Sequence, residues 1–136
     1  MIHSYIHSFA PSFLLYHTGT IGLTCLKEGV VGKVIGVDIS EPAIKDAIIN
    51  AELNGYKNDT TSKTNTTKFI ASRAELVLAN ELKAVQDAKN INMNNTKKKN
   101  DSMIVAVVDP AREGLHNDVL KTLRYNEDIQ RLIYVR

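Results

Sequence analysis

Short apolar runs alternate along the chain with stretches in which apolar residues recur every three or four positions. That alternation is the mark of βαβ units feeding a parallel sheet. The clearest unit begins at Lys33 to Val37, where Val34, Ile35 and Val37 make a short apolar strand that stops at Asp38. A helix follows with a well-marked start. Ser40 can cap it, Glu41 suits the positive end of the helix dipole, and Pro42 fits the first turn, where its missing N–H removes no hydrogen bond. Ile44, Ala47, Ile48 and Ala51 then recur at helical spacing and offer one face to the sheet. Gly55 stands where a helix C-terminus takes a left-handed residue.

The same reading places a first strand at Phe13 to Tyr16 and a third at Lys68 to Ala71. A helix from about Glu75 to Lys89 then carries Leu76, Ala79, Leu82 and Val85 on one face. Met103 to Val108 is continuously apolar, which predicts a strand buried on both faces in the middle of the sheet, closed by Asp109 and Pro110. Val119, Leu120 and Leu123 mark a short helix, and Leu132 to Val135 reads as a fifth strand running into the end of the chain. A sheet edge at that point calls for a further covering element, so the sequence reads as an incomplete copy of a longer domain. The expected fold class is α/β: a doubly wound parallel sheet of about five strands, helices on both faces, over residues 13–136, with residues 1–12 unassigned.

Two polar segments without periodicity interrupt this pattern, Lys57 to Thr67 and Asn90 to Asp101, and both read as mobile loops. Lys97, Lys98 and Lys99 in the second are read as a solvated charge run in preference to an RNA-phosphate contact. The Asn-x-Thr triplets at Asn58, Asn65 and Asn94 match the glycosylation pattern, but nothing else points to export. The opening residues lack the basic start and continuous apolar run of a secretory signal, and no stretch reaches the roughly 18 to 20 apolar residues of a membrane span.

Composition narrows the picture further. A chain of 136 residues, 43% apolar and 24% charged, is long enough for one globular core. Its net charge of +2 is too small to argue nucleic-acid binding by itself. One cysteine, Cys25, excludes an intrachain disulfide and a cysteine-based zinc cluster, which fits an intracellular, reducing compartment. Cys25 itself reads as a buried structural thiol.

Candidate chemistry gathers at three strand ends. Thr18-Gly19-Thr20-Ile21-Gly22 lies between the first strand and a helical stretch with Leu23 and Leu26, a turn that lets backbone N–H groups approach a nucleotide closely. Asp38 stands 19 residues after Gly19 at the end of the second strand, where an acid can accept both ribose hydroxyls of an adenosine cofactor. A helix-capping or turn acid is the lesser alternative for Asp38, and a nicotinamide dinucleotide would use the same two features. The third element is Asp109-Pro110-Ala111-Arg112-Glu113-Gly114-Leu115-His116 after the fourth strand.

The run VVDPAREGLH, with HTGTIGL, VIGVDISEPAIKDAIINAELNG and RLIYV in the same order, resembles the RNA uracil-5-methyltransferase family, closest to the eukaryotic tRNA (uracil-5-)-methyltransferases. The resemblance covers most of residues 13 to 135 apart from the two polar segments. It implies a Rossmann-like methyltransferase fold with S-adenosyl-L-methionine as cofactor and RNA, in particular tRNA, as partner. Carried over, Thr18, Gly19, Gly22 and Asp38 bind the cofactor, Asp109 contacts cofactor and target base, and Arg112 supports that loop. In the family a cysteine adds to uracil C6, C5 then takes the methyl group, and a carboxylate removes the C5 proton. That cysteine follows the fifth strand, beyond Arg136, and the family's glutamate base lies further on, so no catalytic residue is expected within this chain. Phe13 to Tyr16 and His17 stand where the family has an acid-containing strand and a Cys-Gly pair. Two rivals stay open: a non-catalytic cofactor- or RNA-binding remnant, and a methyltransferase of another substrate class.

Overall fold

The computed structural model of the chain describes residues 12–15, 19–57, 67–95, 103–110 and 112–135. Among these, five strands form one sheet: β1 (Ser12–Leu15), β2 (Lys33–Asp38), β3 (Thr67–Ala71), β4 (Ile104–Val108) and β5 (Ile129–Tyr134). Their order is β3-β2-β1-β4-β5, and every neighbouring pair is parallel. Four helices join them: α1 (Thr20–Lys27), α2 (Glu41–Leu53), α3 (Ala74–Asn95) and α4 (Asn117–Tyr125). The chain steps outward from β1 to β3, then returns across the sheet to β4, so the direction of winding reverses between β1 and β4. Open sheets of this kind bind ligands beyond the carboxyl ends of their strands at that reversal.

The two faces carry separate cores. Val105 and Val107 of β4 join Val34 and Phe69 under α1 and α2, packed with Leu23, Leu26, Ile44 and Ala47. Ile104, Ala106 and Val108 join Ile35 and Val37 under α3 and α4, packed with Leu78, Leu82, Val119 and Leu123. Side chains of a strand alternate between faces, so a strand covered on both sides must be apolar at every position. All five residues of β4 are buried, which is the α/β arrangement with helices on both faces that the apolar pattern predicts.

Several boundaries differ from the sequence expectation. β5 starts at Ile129, earlier than Leu132, and only Ile129 of its six residues is even partly buried. Thr67, read as the last residue of a polar loop, is instead the fully buried first residue of β3, and its hydroxyl donates to the Lys57 carbonyl at 3.0 Å. Residues 58–66 between them lie outside the described residues, as do 96–102. The second polar segment is not a loop from its start, because α3 continues through Asn95. The buried face of α3 also differs. Leu78, Leu82 and Val85 meet the sheet, while Leu76 is 66% exposed and Ala79 is exposed. Successive steps of three residues drift about 60° round a helix, so Leu76 and Val85 cannot share one face. On α4, Val119 and Leu123 are buried and Leu120 is exposed.

No described helix is long and apolar enough to cross a membrane.

Candidate functional site

The carboxyl ends of β2, β1 and β4 lie side by side at the centre of the parallel sheet. With neighbouring strands about 4.8 Å apart, the residues leaving β2 and β4 flank the end of β1 across a span of about 10 Å. Gly19 directly precedes α1, Asp38 ends β2 and Asp109 follows β4.

Gly19 precedes α1 with φ 76°, a left-handed conformation that side chains other than glycine disfavour. No side chain caps the helix, and its own ladder begins with the Leu23 N–H donating to the Gly19 carbonyl at 2.8 Å. The amides of the first turn of α1 lie at the positive end of the helix, where an anionic or nucleotide group is favoured. Gly22 is the third residue of α1 and is buried. Thr18 and His17 lie outside the described residues.

Asp38 is 5% exposed. Its Oδ1 accepts the Ser40 N–H at 2.8 Å, and its backbone carbonyl accepts the Ser72 N–H at 2.8 Å, which ties the ends of β2 and β3 together. Ser40 caps α2 as its sequence position predicts, accepting the Ala43 N–H at 3.4 Å. Asp38 thus shapes the turn that leaves β2, at the carboxyl end of that strand.

Asp109 is half-buried directly after β4. Arg112 and Glu113 follow on an exposed turn, Gly114 takes φ 83°, and the His116 Nδ1 accepts the Asp118 N–H at 3.3 Å at the start of α4. Beside this loop a groove of about 380 Å³ opens, lined by Ile39, Arg73, Ala74, Pro110, Leu115 and His116 among others. Arg112 is not part of that lining. Pro110, Leu115 and His116 belong to the third candidate element, whereas Ile39, Arg73 and Ala74 were not singled out from the sequence. No local signal marks Ile39, which the structure leaves 59% exposed just after the strand-ending Asp38. An apolar side chain left open beside an acid at a strand end is a better ligand contact than core residue.

Two further groups fall away from this edge. Cys25 sits in α1, half-buried against the core of the α1/α2 face. Lys33 begins β2 at the opposite end of the sheet. Burial lowers its pKa below the ordinary lysine value, the nearby Lys68 adds to that, and Glu81 opposes it.

Residues 12–132 match the family model of the methyltransferase domain. The chain is similar to tRNA (uracil-5-)-methyltransferase homolog B of Danio rerio, with 32% identity over 87% of this chain and 20% of that protein. Homolog B of Homo sapiens is 32% identical over 87% of this chain and 19% of its own length. Homolog A of Mus musculus is 31% identical over 87% of this chain and 15% of its own length. The chain therefore spans about a fifth or less of the relatives it matches.

Proposed function

We start from the fact that this chain belongs to the methyltransferase domain family, and we propose that it is the S-adenosylmethionine-binding core of an enzyme that methylates uracil C5 in RNA, with tRNA as the substrate. The observation that carries the reading is the buried Asp38 carboxylate at the end of β2, on the strand next to β1 and directly before Ile39, which lines the groove. The residues present fit an adenosine cofactor. Asp38 is oriented by the Ser40 N–H, so its carboxylate is presented as an acceptor for ribose hydroxyls. Ile39, Ala74 and Leu115 give the groove apolar surface for a flat heterocycle, and the start of α1 supplies backbone donors.

When bound, S-adenosylmethionine supplies an electrophilic methyl group on a sulfonium. Asp109, at the reversal point beside β1, is placed to hold the target base by its polar edge, and Arg112 shapes the exposed turn that approaches RNA. Unstacking the uracil precedes any such contact. Activation of C5 requires a thiolate to add at C6. The single thiol of the sequence, Cys25, packs against the core within α1, so these 136 residues do not themselves supply that nucleophile.

The test is incubation with methyl-labelled S-adenosylmethionine and unmodified tRNA, beside calorimetric titration with S-adenosylhomocysteine. Binding without methyl transfer is expected. Methyl incorporation that persists in Cys25→Ala would overturn the cysteine chemistry, and failure of the folded chain to bind S-adenosylhomocysteine would overturn the cofactor reading.

A further inference from the structure

We propose that Phe69 is a positioning residue for the Gly19 turn, and that position 36 is glycine so that the Phe69 ring can reach that turn. The proposal rests on the cofactor-binding reading of the turn. Phe69 lies on β3 directly opposite Gly36 on β2. Its ring crosses Gly36: a Cβ at that position would stand 2.5 Å from the ring's Cδ1 and 2.8 Å from its Cε1, closer than carbon atoms can pack. The far end of the same ring lies against Gly19, where a Cβ would stand 3.0 Å from both Cε1 and Cζ and 3.2 Å from the Ala47 Cβ. One aromatic side chain thus spans from β3, over β2, to the turn that follows β1.

The ring is well suited to hold something in place. Phe69 is 3% exposed, Ala47 of α2 is fully buried beside it, and a phenylalanine has only two side-chain torsions to lose. Glycine within a strand marks a close approach of another group, and at Gly36 that group is the ring. Gly19 rests on the ring in a left-handed conformation, and its carbonyl receives the first bond of the α1 ladder from Leu23. The direction of the backbone donors at the start of α1 is set by that turn. Removing the ring leaves space beneath Gly19, and the turn can sink toward it. Placing a methyl group on position 36 pushes the ring toward Gly19 instead. Phe69 touches no proposed ligand and acts only through the turn.

The experiment compares Phe69→Leu, Gly36→Ala and the double variant with the parent chain. Two quantities are read: affinity for S-adenosylhomocysteine by calorimetry, and amide hydrogen exchange at Leu23, whose N–H bonds to Gly19, against Ile44 in α2 and residues 105–107 in β4. In Phe69→Leu the expected result is an affinity loss of at least about tenfold, with faster exchange at Leu23 and unchanged protection in α2 and β4. Gly36→Ala should lose more in the parent background than beside Phe69→Leu, because the shorter side chain leaves room for the methyl group. Unchanged affinity and exchange in Phe69→Leu would overturn the proposal. So would a uniform loss of protection across α2 and β4, which would reduce Phe69 to ordinary core packing. If the parent binds no S-adenosylhomocysteine, the cofactor reading fails by itself. Exchange at Leu23 then decides alone whether Phe69 holds the turn, local loosening sustaining it and no change sinking it.

Discussion

The β2 side and the β5 side of the sheet are built to different standards. From Val34 to Asp38 every residue of β2 is buried, with β1 and β3 on its flanks and helices on both faces. Its outgoing loop is fixed by the Ser40 N–H on Asp38, the Ser72 N–H on the Asp38 carbonyl and the Ala43 N–H on Ser40. Among the described residues β5 has one strand neighbour, and it leaves Leu132 53%, Ile133 48% and Tyr134 56% exposed. The loop from its neighbour β4 into α4 carries Arg112 and Glu113 in solvent. In the proposed reading the half that holds a small, invariant cofactor is preformed, while the half that meets a large substrate is open. Preformed backbone costs no ordering free energy when the ligand arrives.

The comparison is broken most severely in the core. Ile35 is 4% exposed within β2, and Ile35→Ala should lose about 2 to 5 kcal/mol of stability, the lost transfer free energy plus an unfilled cavity. Leu132→Ala on β5 should lose less than about 1 kcal/mol, because half of that side chain is already in water. Urea unfolding of both variants measures the difference. Equal losses would mean that β5 is covered in solution and that the two sides are not built differently.

A smaller effect separates the buried acid of β2 from the arginine of the exposed turn. Asp38→Asn keeps an oxygen for the Ser40 N–H but removes the charge, so the turn should persist while S-adenosylhomocysteine affinity falls by about 1.5 to 3 kcal/mol. Arg112→Ala, on an exposed turn outside the groove, should leave that affinity unchanged. Calorimetric titration of both variants decides it. A loss in Arg112→Ala as large as that in Asp38→Asn would merge the two halves into one site.

The β2 unit was legible in the sequence because its signals are local. Ser40, Pro42 and Gly55 mark the ends of α2, and the apolar run of β4 announces burial on two faces. The shared edge for Gly19, Asp38 and Asp109 followed from the strand ends once the parallel order was expected. What was not legible is non-local. Leu76, Val77, Leu78 and Ala79 offer two competing stripes on α3, and only the sheet chooses between them. Thr67 looks like the polar segment before it until its hydroxyl finds the Lys57 carbonyl. Ile39 and Leu115 line the groove because of where three loops meet, and Phe69 reaches Gly19 across two strands. No spacing rule within a single segment contains those contacts.

The smallest expected effect lies along β2 itself, whose outgoing end is fixed around an acid and whose incoming end carries an uneasy cation. Lys33 is half-buried close to Lys68, and Lys68 is held by both oxygens of Glu81 at 2.7 Å. Desolvation and Lys68 lower the pKa of Lys33 from 10.5 in the folded chain, against the pull of Glu81. Below the lowered pKa the amine is protonated in both states, and the folded state bears the full cost of burying it. As pH rises through that pKa toward 10.5, the folded chain releases the proton while the unfolded chain keeps it. The unfolded state then binds more protons, so this residue's contribution to stability rises with pH across the window and levels off above it. Lys33→Met keeps the apolar stem and removes the charge. It should raise stability at pH 7 by about 0.5 kcal/mol or less, since a half-buried ammonium retains much of its hydration. The advantage over the parent should shrink by pH 10, where the parent amine has begun to neutralise itself. Urea midpoints of the two chains at both pH values measure this, and the titrations they share cancel in the difference. A loss of stability at pH 7, or an advantage that does not narrow, would show that Lys33 is held by Glu81 more than it is penalised by burial, and the two ends of β2 would then be equally settled.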